Sequence, residues 1–453
     1  MGIFGDIGRK LRDKLVKEKK PQAVPEENVY APKLSDECYN ILSSLFDESE
    51  PRPAASAESR SFARKIAELF GSFSSDVTLT SCRIIPRLYC WLLVTVAASS
   101  AAVFLLSFIG LPYLAFVLSV FSIIAVVDEI LKKKDPLRRF FPTDDASNVH
   151  AVIEPEEDVQ HTVIFSSHHD TAAVSRSEKG KLESFLSVHT AAAGMVALCL
   201  VSFIQSIVEI IQGRLLRFNA PGIIFAILLL VSFAASLSSL YLIITSGKSF
   251  TKGAGDNLSG VAAVTTLGHY FSREKNAGKG PRNTRLIFVS FDGEECGAQG
   301  SAAWYRENSH LLINPVNINF DGIYKEDDLV FLASDGNGFV SLSSKLASEL
   351  SLIASSMGYR IPSGKMGLFG GETDAVSAAI SGIAAATLTG MPPGVLTPAH
   401  TEEDTPDKVS SEALSRCLQV AIRYVEKLDN PTKEGKVTTS FLEEGRKYKL
   451  SRY

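Results

Sequence analysis

The 453-residue sequence has little excess of either charge and few cysteines. Its 46 basic and 50 acidic residues nearly balance, so we expect no nucleic-acid-binding surface. The six cysteines lack the spacing of a zinc site or a disulfide framework, which fits core thiols in a reducing compartment. The opening stretch MGIFGDIGRKLRDKLVKEKK lacks the apolar core of a signal peptide. These absences argue against nucleic-acid binding and against a secreted, disulfide-bonded domain.

The opening stretch also has an amphipathic pattern. Phe4, Ile7, Leu11 and Leu15 fall on one helical face, opposite lysines and arginines. The pattern predicts a helix lying on a membrane surface. A solvated amphipathic helix or a disordered tail would explain the same residues.

Apolar residues, in contrast, are abundant and unevenly distributed. The mean hydropathy is +0.12, and four segments without any charged residue carry the excess: residues 88–109, 112–127, 191–208 and 223–245. Since about 20 apolar residues cross a bilayer as a helix, we predict two transmembrane hairpins. The second and third segments are short, so each is a tilted span, a re-entrant segment or a buried core helix.

Basic residues flank the polar ends of the predicted hairpins. They are Arg83, Arg87, Lys132, Lys133, Lys134, Arg138, Arg139, Arg176, Lys179, Lys181, Lys248 and Lys252. Because positively charged loops stay on the cytoplasmic side, we predict an integral membrane protein with about four spans, whose termini and polar domain are cytoplasmic.

Outside these segments, the polar sequence alternates between strand and helix patterns. Candidate strands are 162–166, 285–291, 316–320, 329–333 and 383–389, and candidate helices are 259–272 and 410–428. The alternation predicts an α/β domain with a sheet covered by helices on both faces. In such sheets, ligands bind beyond the carboxyl ends of the strands.

Histidines and carboxylates follow the predicted strands and the turn before the first of these helices. The stretches FSSHHDTA, GAGDNLSG, FDGEECG, NFDGIY and TPAHTEEDT supply His168, His169, Asp170, Asp256, Glu294, Glu295, Asp321 and His400. A histidine and carboxylate set without thiolate suits zinc, and also manganese or cobalt. A cation would also explain the adjacent glutamates, since one can bind the metal while its neighbour holds a bound water.

Five motifs in this order resemble the co-catalytic di-zinc aminopeptidase family. They are H-x-D, G-A-x-D-N-x-S-G, F-D-x-E-E-x-G-x-x-G-S, N-x-D and a late His-Thr. The family includes bacterial leucyl aminopeptidases, glutamate carboxypeptidases and the inactive transferrin receptors. The resemblance covers 50–79, whose PRPAASAESRSFARKIAELFGS is similar to the family's opening helix, and 148–429. It implies a zinc-exopeptidase-like fold, with a mixed, mostly parallel sheet, interrupted here by the two transmembrane hairpins.

The resemblance also implies a role for each matched residue. His168 and Asp321 would bind one zinc, Glu295 and His400 the other, and Asp256 both. Asp170 would fix the orientation of His168, and Glu294 would be the general base. The bond between Asp256 and Asn257 is expected to be cis.

Neighbouring residues have simpler interpretations. His169 could replace His168 as ligand, although only His168 gives the H-x-D spacing. We expect Asp292 to cap or pair locally, and Glu402, Glu403 and Asp404 to form a solvated acidic turn.

The sequence departs from the family at two places. Thr373-Asp374-Ala375 stands where the family has an S-D-H-like element, and Ala399 stands where an aromatic residue is common.

The sequence therefore predicts a membrane-anchored zinc metallopeptidase, an aminopeptidase acting on peptides. A one-zinc transferase of the glutaminyl-cyclase type, or a carboxypeptidase or dipeptidase, would use the same scaffold. A non-catalytic membrane scaffold is disfavoured because all five ligand positions are present. The predicted boundaries are 1–49 for the N-terminal segment, 50–87, 132–184 and 248–430 for the peptidase domain, 88–131 and 185–247 for the hairpins, and 431–453 for the tail.

The second hairpin lies between Asp170 and Asp256, so the rim of the site should be tethered close to the bilayer. Either the hairpins limit access to peptides at the membrane surface, or they are anchors only.

Overall fold

The computed structural model describes residues 31–130, 138–174, 178–214, 218, 220–238, 240, 249–336, 338–366, 371–391 and 398–429. The amphipathic pattern within 1–30, Lys132, Lys133, Lys134, Arg176 and Lys248 of the basic flanks, and the tail 431–453 lie outside these residues.

The described chain contains helices α1 Ala31–Asp47, α2 Ala57–Gly71, α3 Leu88–Phe108, α4 Pro112–Ile130, α5 Glu178–Ile211, α6 Ile223–Ser236, α7 Ser259–Asn276, α8 Gln299–Asn308, α9 Ser344–Ser356, α10 Ala375–Ile380 and α11 Ser411–Asp429. Its strands are β1 Asp76–Ile84, β2 Asp144–Ile153, β3 His161–His168, β4 Thr284–Phe291, β5 Pro315–Phe320, β6 Val330–Leu332, β7 Ser334–Asp335, β8 Val340–Ser341, β9 Ser363–Gly364 and β10 Ala384–Thr389.

Eight strands form one mixed sheet in the order β1-β2-β4-β3-β5-β10-β6-β9. The four central strands β4, β3, β5 and β10 are parallel, whereas β1 and β2 pair antiparallel at one side. β3 and β4 are buried along most of their length, and each contains an apolar run (163–165 and 286–289), because both faces of the sheet are covered. The predicted fold class, a mostly parallel sheet with helices on both faces, is confirmed.

The hydrophobic core lies on both faces of this sheet. On one face, α7 and α11 pack against the central strands, α2 packs against β1 and β2, and α1 packs on α7 and α11. Leu414, Leu418, Val425 and Leu428 on α11 recur at helical spacing, so one stripe of that helix is buried. On the other face, Trp304 of α8 packs with Phe291 and Tyr305. Both layers hold the strands, and therefore the loops that follow them, in place.

All five predicted strands and both predicted helices of the polar domain are present, with boundaries shifted by a few residues. The outer strands β1 and β2 are not among the predicted ones. In β1 (DVTLTSCRI) only the last residue is buried, so it lacks the apolar run that identifies the central strands. The opening helix is present as α2, which begins where the hydroxyl of Ser56 accepts a hydrogen bond from the amide of Ser59.

Three helical segments in the described chain are long and apolar enough to cross a membrane. They are Leu88–Phe108, Pro112–Glu129 and His189–Ile211. The fourth predicted span begins as the shorter helix α6, and part of its remainder, 241–245, lies outside the described residues. The third predicted span is the later part of the 34-residue helix α5.

These four helices pack together through an apolar cluster and through polar side chains around it. The buried apolar cluster includes Val103, Ala115, Leu198 and Leu229. Around it, the hydroxyls of Ser107 and Ser202 lie 2.8 Å apart, and Gln205 donates a 3.0 Å hydrogen bond to the carbonyl of Ser107. Hydrogen bonds and small residues of this kind are typical of helix contacts in membranes.

The outer surfaces of the same helices are apolar and exposed. Phe121 is 69% exposed and Ile223 is 78% exposed. An exposed apolar surface of this kind fits contact with lipid rather than with water.

Candidate metal centre and active site

The sheet topology brings the predicted site residues to one edge. β3 ends at His168, β4 at Phe291 just before Glu294 and Glu295, and β5 at Phe320 just before Asp321. Because these strands are parallel neighbours, their carboxyl ends meet at the same edge.

Two further loops complete the site. Asp256 lies in the irregular turn Ala254–Leu258 that precedes α7, and its peptide bond with Asn257 is cis, as expected. His400 lies before α11 with a left-handed backbone, φ 60°.

His168, Asp256 and Asp321 form the first cluster of potential metal ligands. One ligand atom from each lies within 4.8 Å of the others. The Nε2 atom of His168 is 3.2 Å from Oδ1 of Asp256 and 3.6 Å from Oδ1 of Asp321. All three side chains are buried.

Asp256, Glu295 and His400 form the second cluster, with the same mutual spacing of at most 4.8 Å. The Nε2 atom of His400 is 3.2 Å from Oδ2 of Asp256 and 3.4 Å from Oε2 of Glu295. Asp256 therefore directs one carboxylate oxygen toward each histidine and belongs to both clusters.

The site brings four carboxylates together around two histidines. Among the described residues, the ion pairs of Asp256, Glu294, Glu295 and Asp321 involve only histidines. Burial raises the pKa of Glu295 to about 8, opposed by His400 and reinforced by Asp256. Burial also raises the pKa of Glu294 well above its usual value, with the charges of Asp321 and Glu295 adding to it.

The residues present fit bound cations. Nε2 of His168 and Oε1 of Glu295 are buried and have no hydrogen-bond partner, and buried polar atoms usually have one. A cation held among these atoms would satisfy them and reverse the repulsion between the carboxylates. Two histidines and three carboxylates without thiolate form a donor set that suits zinc.

Asp170 connects the first cluster to the loop that carries Glu294 and Glu295, which we call the glutamate loop. Its Oδ1 accepts a hydrogen bond from the amide of Glu294 and its Oδ2 one from the amide of Glu295, both at 3.1 Å. The Nδ1 atom of His168 lies 3.2 Å from the carbonyl oxygen of Asp170 and 3.5 Å from its Oδ1. Asp170 thus orients the imidazole through its main chain and its side chain, and its carboxylate fixes the backbone of both glutamates.

Glu294 lies beside the clusters but belongs to neither. Its Oε2 is 3.8 Å from Nε2 of His168, and the residue is 8% exposed.

His169 points away from both clusters. Its Nδ1 lies 2.9 Å from the hydroxyl of Ser290, and burial lowers its pKa to about 3. Of the two adjacent histidines, the structure therefore places His168 in the site.

Asp404 does not lie in the solvated acidic turn that we expected it to form with Glu402 and Glu403. The two glutamates are exposed, but Asp404 is buried. It accepts hydrogen bonds from the amides of Gly255, at 2.7 Å, and Asp256, at 3.2 Å. It therefore holds the turn that carries Asp256. In the sequence, only its position four residues after His400 could have suggested that Asp404 lies near the site.

Arg52 is a second residue whose role the sequence does not reveal. It is 1% exposed and donates hydrogen bonds to the carbonyls of His169 (2.8 Å) and Lys252 (2.9 Å) and to the hydroxyl of Ser49 (2.9 Å). Burial lowers its pKa to about 9. Arg52 thereby links the segment that follows β3 to the segment that precedes Asp256.

Asp292 pairs with backbone near the site rather than joining a cluster. It accepts hydrogen bonds from the amides of Ala55, at 3.2 Å, and Ser147, at 3.3 Å. Burial raises its pKa to about 7.

Comparisons with known proteins identify similar sequences and folds. Residues 238–425 match the profile of peptidase family M28. The fold is similar to that of BSAP, a zinc aminopeptidase from Bacillus subtilis, at 14% identity and a TM-score of 0.51, covering 89% of this chain and 96% of that one. No curated protein matches the chain.

Two structures from Bacteroides thetaiotaomicron have a similar fold. A leucine aminopeptidase precursor has 14% identity and a TM-score of 0.50, covering 89% of this chain and 98% of that one. A glutaminyl cyclase bound to N-acetylhistamine has the same identity and TM-score, covering 89% and 99%.

Fold and family match together define the class that the chain resembles, the zinc-dependent peptidases. The matched region is that of peptidase family M28, and the resemblance to the co-catalytic zinc aminopeptidases, first seen in five short motifs, is confirmed.

Proposed function

We propose that this protein is a membrane-anchored metallo-aminopeptidase that removes residues from the N-termini of peptides. The main observation behind the proposal is that Asp256 directs one oxygen toward each of two histidine and carboxylate clusters. A residue shared in this way suits a pair of cations, as two-metal hydrolases use. A transferase with one zinc would need only one of the clusters.

His168 and Asp321 would hold one zinc ion and Glu295 and His400 the other, with Asp256 between them. When bound, the ions acidify water and polarise the peptide carbonyl. Asp170 keeps His168 oriented, because its carboxylate faces Nδ1 and leaves Nε2 turned into the cluster.

Glu294 moves the proton. It accepts one from the attacking water as the new C–O bond forms, and returns it to the leaving amine as the C–N bond breaks. Burial and the neighbouring carboxylates raise the pKa of Glu294, whereas nearby cations would oppose that rise. The balance suits a carboxylate that must both accept and donate a proton near neutral pH.

Glu294→Gln tests this assignment. The substitution keeps the size and burial of the side chain, so fold and zinc content should persist, while kcat should fall by roughly 100- to 10,000-fold. Glu403→Gln is the control, because Glu403 is exposed in the loop after His400 and its substitution should leave activity unchanged. A near-normal kcat in Glu294→Gln would refute the role of general base.

The glutaminyl-cyclase reaction is the second candidate, favoured by the fold similarity to a glutaminyl cyclase. Peptides with N-terminal glutamine separate the two reactions. A peptidase releases free glutamine, whereas a cyclase releases ammonia and leaves a pyroglutamyl peptide of unchanged length. Peptides blocked at either end separate an aminopeptidase from a carboxypeptidase, because only the latter cleaves a peptide whose amino group is blocked.

The membrane part of the proposal is supported by the three long apolar helices and by the basic residues at their ends. Arg83, Arg87, Arg138 and Arg139 all adjoin the ends of α3 and α4 nearest the peptidase domain. Since positively charged loops are retained in the cytoplasm, the peptidase domain would be cytoplasmic. Accessibility of a cysteine introduced at exposed Glu402 to a membrane-impermeant reagent, in intact cells and in lysed cells, tests this orientation.

A further inference from the structure

Both pairs of apolar helices leave the sheet at the edge that carries the site. α3 and α4 occupy the connection between β1 and β2, where Ile84 pairs with Asp144. β2 runs antiparallel to β4, with Val149 opposite Ser290. The start of β2 therefore lies beside the carboxyl end of β4, just before the glutamate loop.

The second pair of helices leaves from the neighbouring strand. α5 and α6 follow β3 and the Asp170 segment. The two ends of this insertion pair with each other close to the site, since the amide of Val174 donates to the carbonyl of Ser249 at 2.8 Å and the amide of Thr251 to that of Ala172 at 3.0 Å.

Hydrogen bonds connect the segment just before α3 to the loop that bears Glu294. The side chain of Gln299 donates to the carbonyl of Ile85 and accepts from its amide, both at 3.0 Å, and also donates to the carbonyl of Cys296 at 2.7 Å. Ile85 lies three residues before the start of α3. The first turn of α3 is therefore held next to the catalytic loop.

Aromatic and basic side chains cluster around the start of α3. Trp91, in the first turn of α3, stacks on Phe141 with ring centroids 5.7 Å apart. The guanidinium of Arg139 lies 4.9 Å from the ring of Phe140, which is 70% exposed. Aromatic and arginine residues at the ends of apolar helices are enriched where headgroups begin.

The same part of α3 lies close to the loop that carries Glu294. Its first turn, which contains Tyr89 and Trp91, begins three residues after Ile85, and Gln299 holds Ile85 beside Cys296 of that loop. Since a helix rises about 1.5 Å per residue, Tyr89 and Trp91 lie within one turn of each other. The loop that carries Glu294 and the expected headgroup layer are thus at nearly the same height.

We propose that the active site opens at the membrane surface and takes peptides anchored in the same bilayer by an apolar segment that follows the cleaved residue. This inference rests on the proposed aminopeptidase function. An anchor raises the local concentration of the substrate, and a site at headgroup height needs little spacer between the anchor and the scissile bond.

Lipid-anchored peptides with spacers of different length test the height of the active site above the bilayer. Peptides with a free N-terminus are joined at their C-terminus to a dialkyl lipid through about 4 or about 16 residues, which extend to roughly 14 and 55 Å. With the full chain in nanodiscs, the short-spacer peptide should be cleaved at least as fast as the long one, and about tenfold faster than the unanchored peptide. A tenfold slower cleavage of the short-spacer peptide, or equal cleavage of the unanchored one, would overturn the inference.

Two further measurements separate this inference from the function on which it rests. Failure to cleave any peptide, the unanchored one included, would contradict the aminopeptidase itself. Trp91 fluorescence reports the position of the site without activity. It should be quenched most by lipids brominated near the headgroup, with the quenching lost in Trp91→Phe, and its absence would overturn the placement.

Discussion

Replacing Asp404 by asparagine tests how the shared ligand Asp256 is held. Both oxygens of the buried carboxylate accept hydrogen bonds from consecutive amides, those of Gly255 and Asp256. Asparagine has nearly the same size but only one acceptor oxygen, and its amino group would face an N–H donor. One buried donor is then left unsatisfied, which costs about 1–3 kcal/mol.

Part of that cost should appear as weaker metal binding, because the unsatisfied amide lies in the turn that positions Asp256. Loss of a residue that orients a ligand typically lowers metal affinity about 10- to 100-fold. Zinc affinity is measured by competition with a chromophoric chelator in detergent micelles. The thermal midpoint is measured in parallel, with and without zinc.

Glu403→Gln is the matched control, since Glu403 is the adjacent residue in the same loop and is exposed. It should leave zinc affinity unchanged. If Asp404→Asn also binds zinc within about twofold of the wild type, Asp404 does not hold the Asp256 turn and its burial has another cause.

Two further predictions concern the segment around β3. Arg52→Lys replaces a planar donor group that reaches three carbonyls and a hydroxyl. The substitution should therefore cost about 3 kcal/mol of stability and lower the thermal midpoint by several degrees. An unchanged midpoint would contradict the role of Arg52. The pKa of His169 is about 3 in the folded protein and about 6.5 in the unfolded chain. As the pH drops below 6.5, the unfolded chain therefore binds the proton first. The free energy of unfolding then falls by up to about 1.4 kcal/mol per pH unit. His169→Gln should therefore flatten the loss of stability between pH 7 and 5, whereas the exposed His310→Gln should not, and equal slopes in all three proteins would refute this source.

The central strands could be predicted from the sequence because burial on both faces requires an uninterrupted apolar run. Val163, Ile164 and Phe165 in β3 are fully buried, and the polar residues that follow such strands had to meet at one edge. Strand β1 could not be recognised in the same way, because it has one face against α2 and otherwise alternates between exposed and half-buried positions.

The residues that position the site were harder to predict than its ligand candidates. Asp404 follows two exposed glutamates in an acidic stretch, where composition favours a solvated turn. Its burial depends on the approach of the Asp256 turn, 148 residues away in sequence. Arg52 likewise resembles a surface cation in the sequence, because its partners are carbonyls at His169 and Lys252 that only the folded chain brings together.

The amount of zinc bound per chain tests the central claim most directly, namely that His168, Asp256, Glu295, Asp321 and His400 hold a pair of cations. After equilibration with zinc and removal of the excess, the full chain should contain about two zinc ions, as expected for a two-metal hydrolase. His400→Gln should retain about one, and Asp256→Asn should weaken both. One zinc or none in the unchanged protein, or two retained in His400→Gln, would contradict the account.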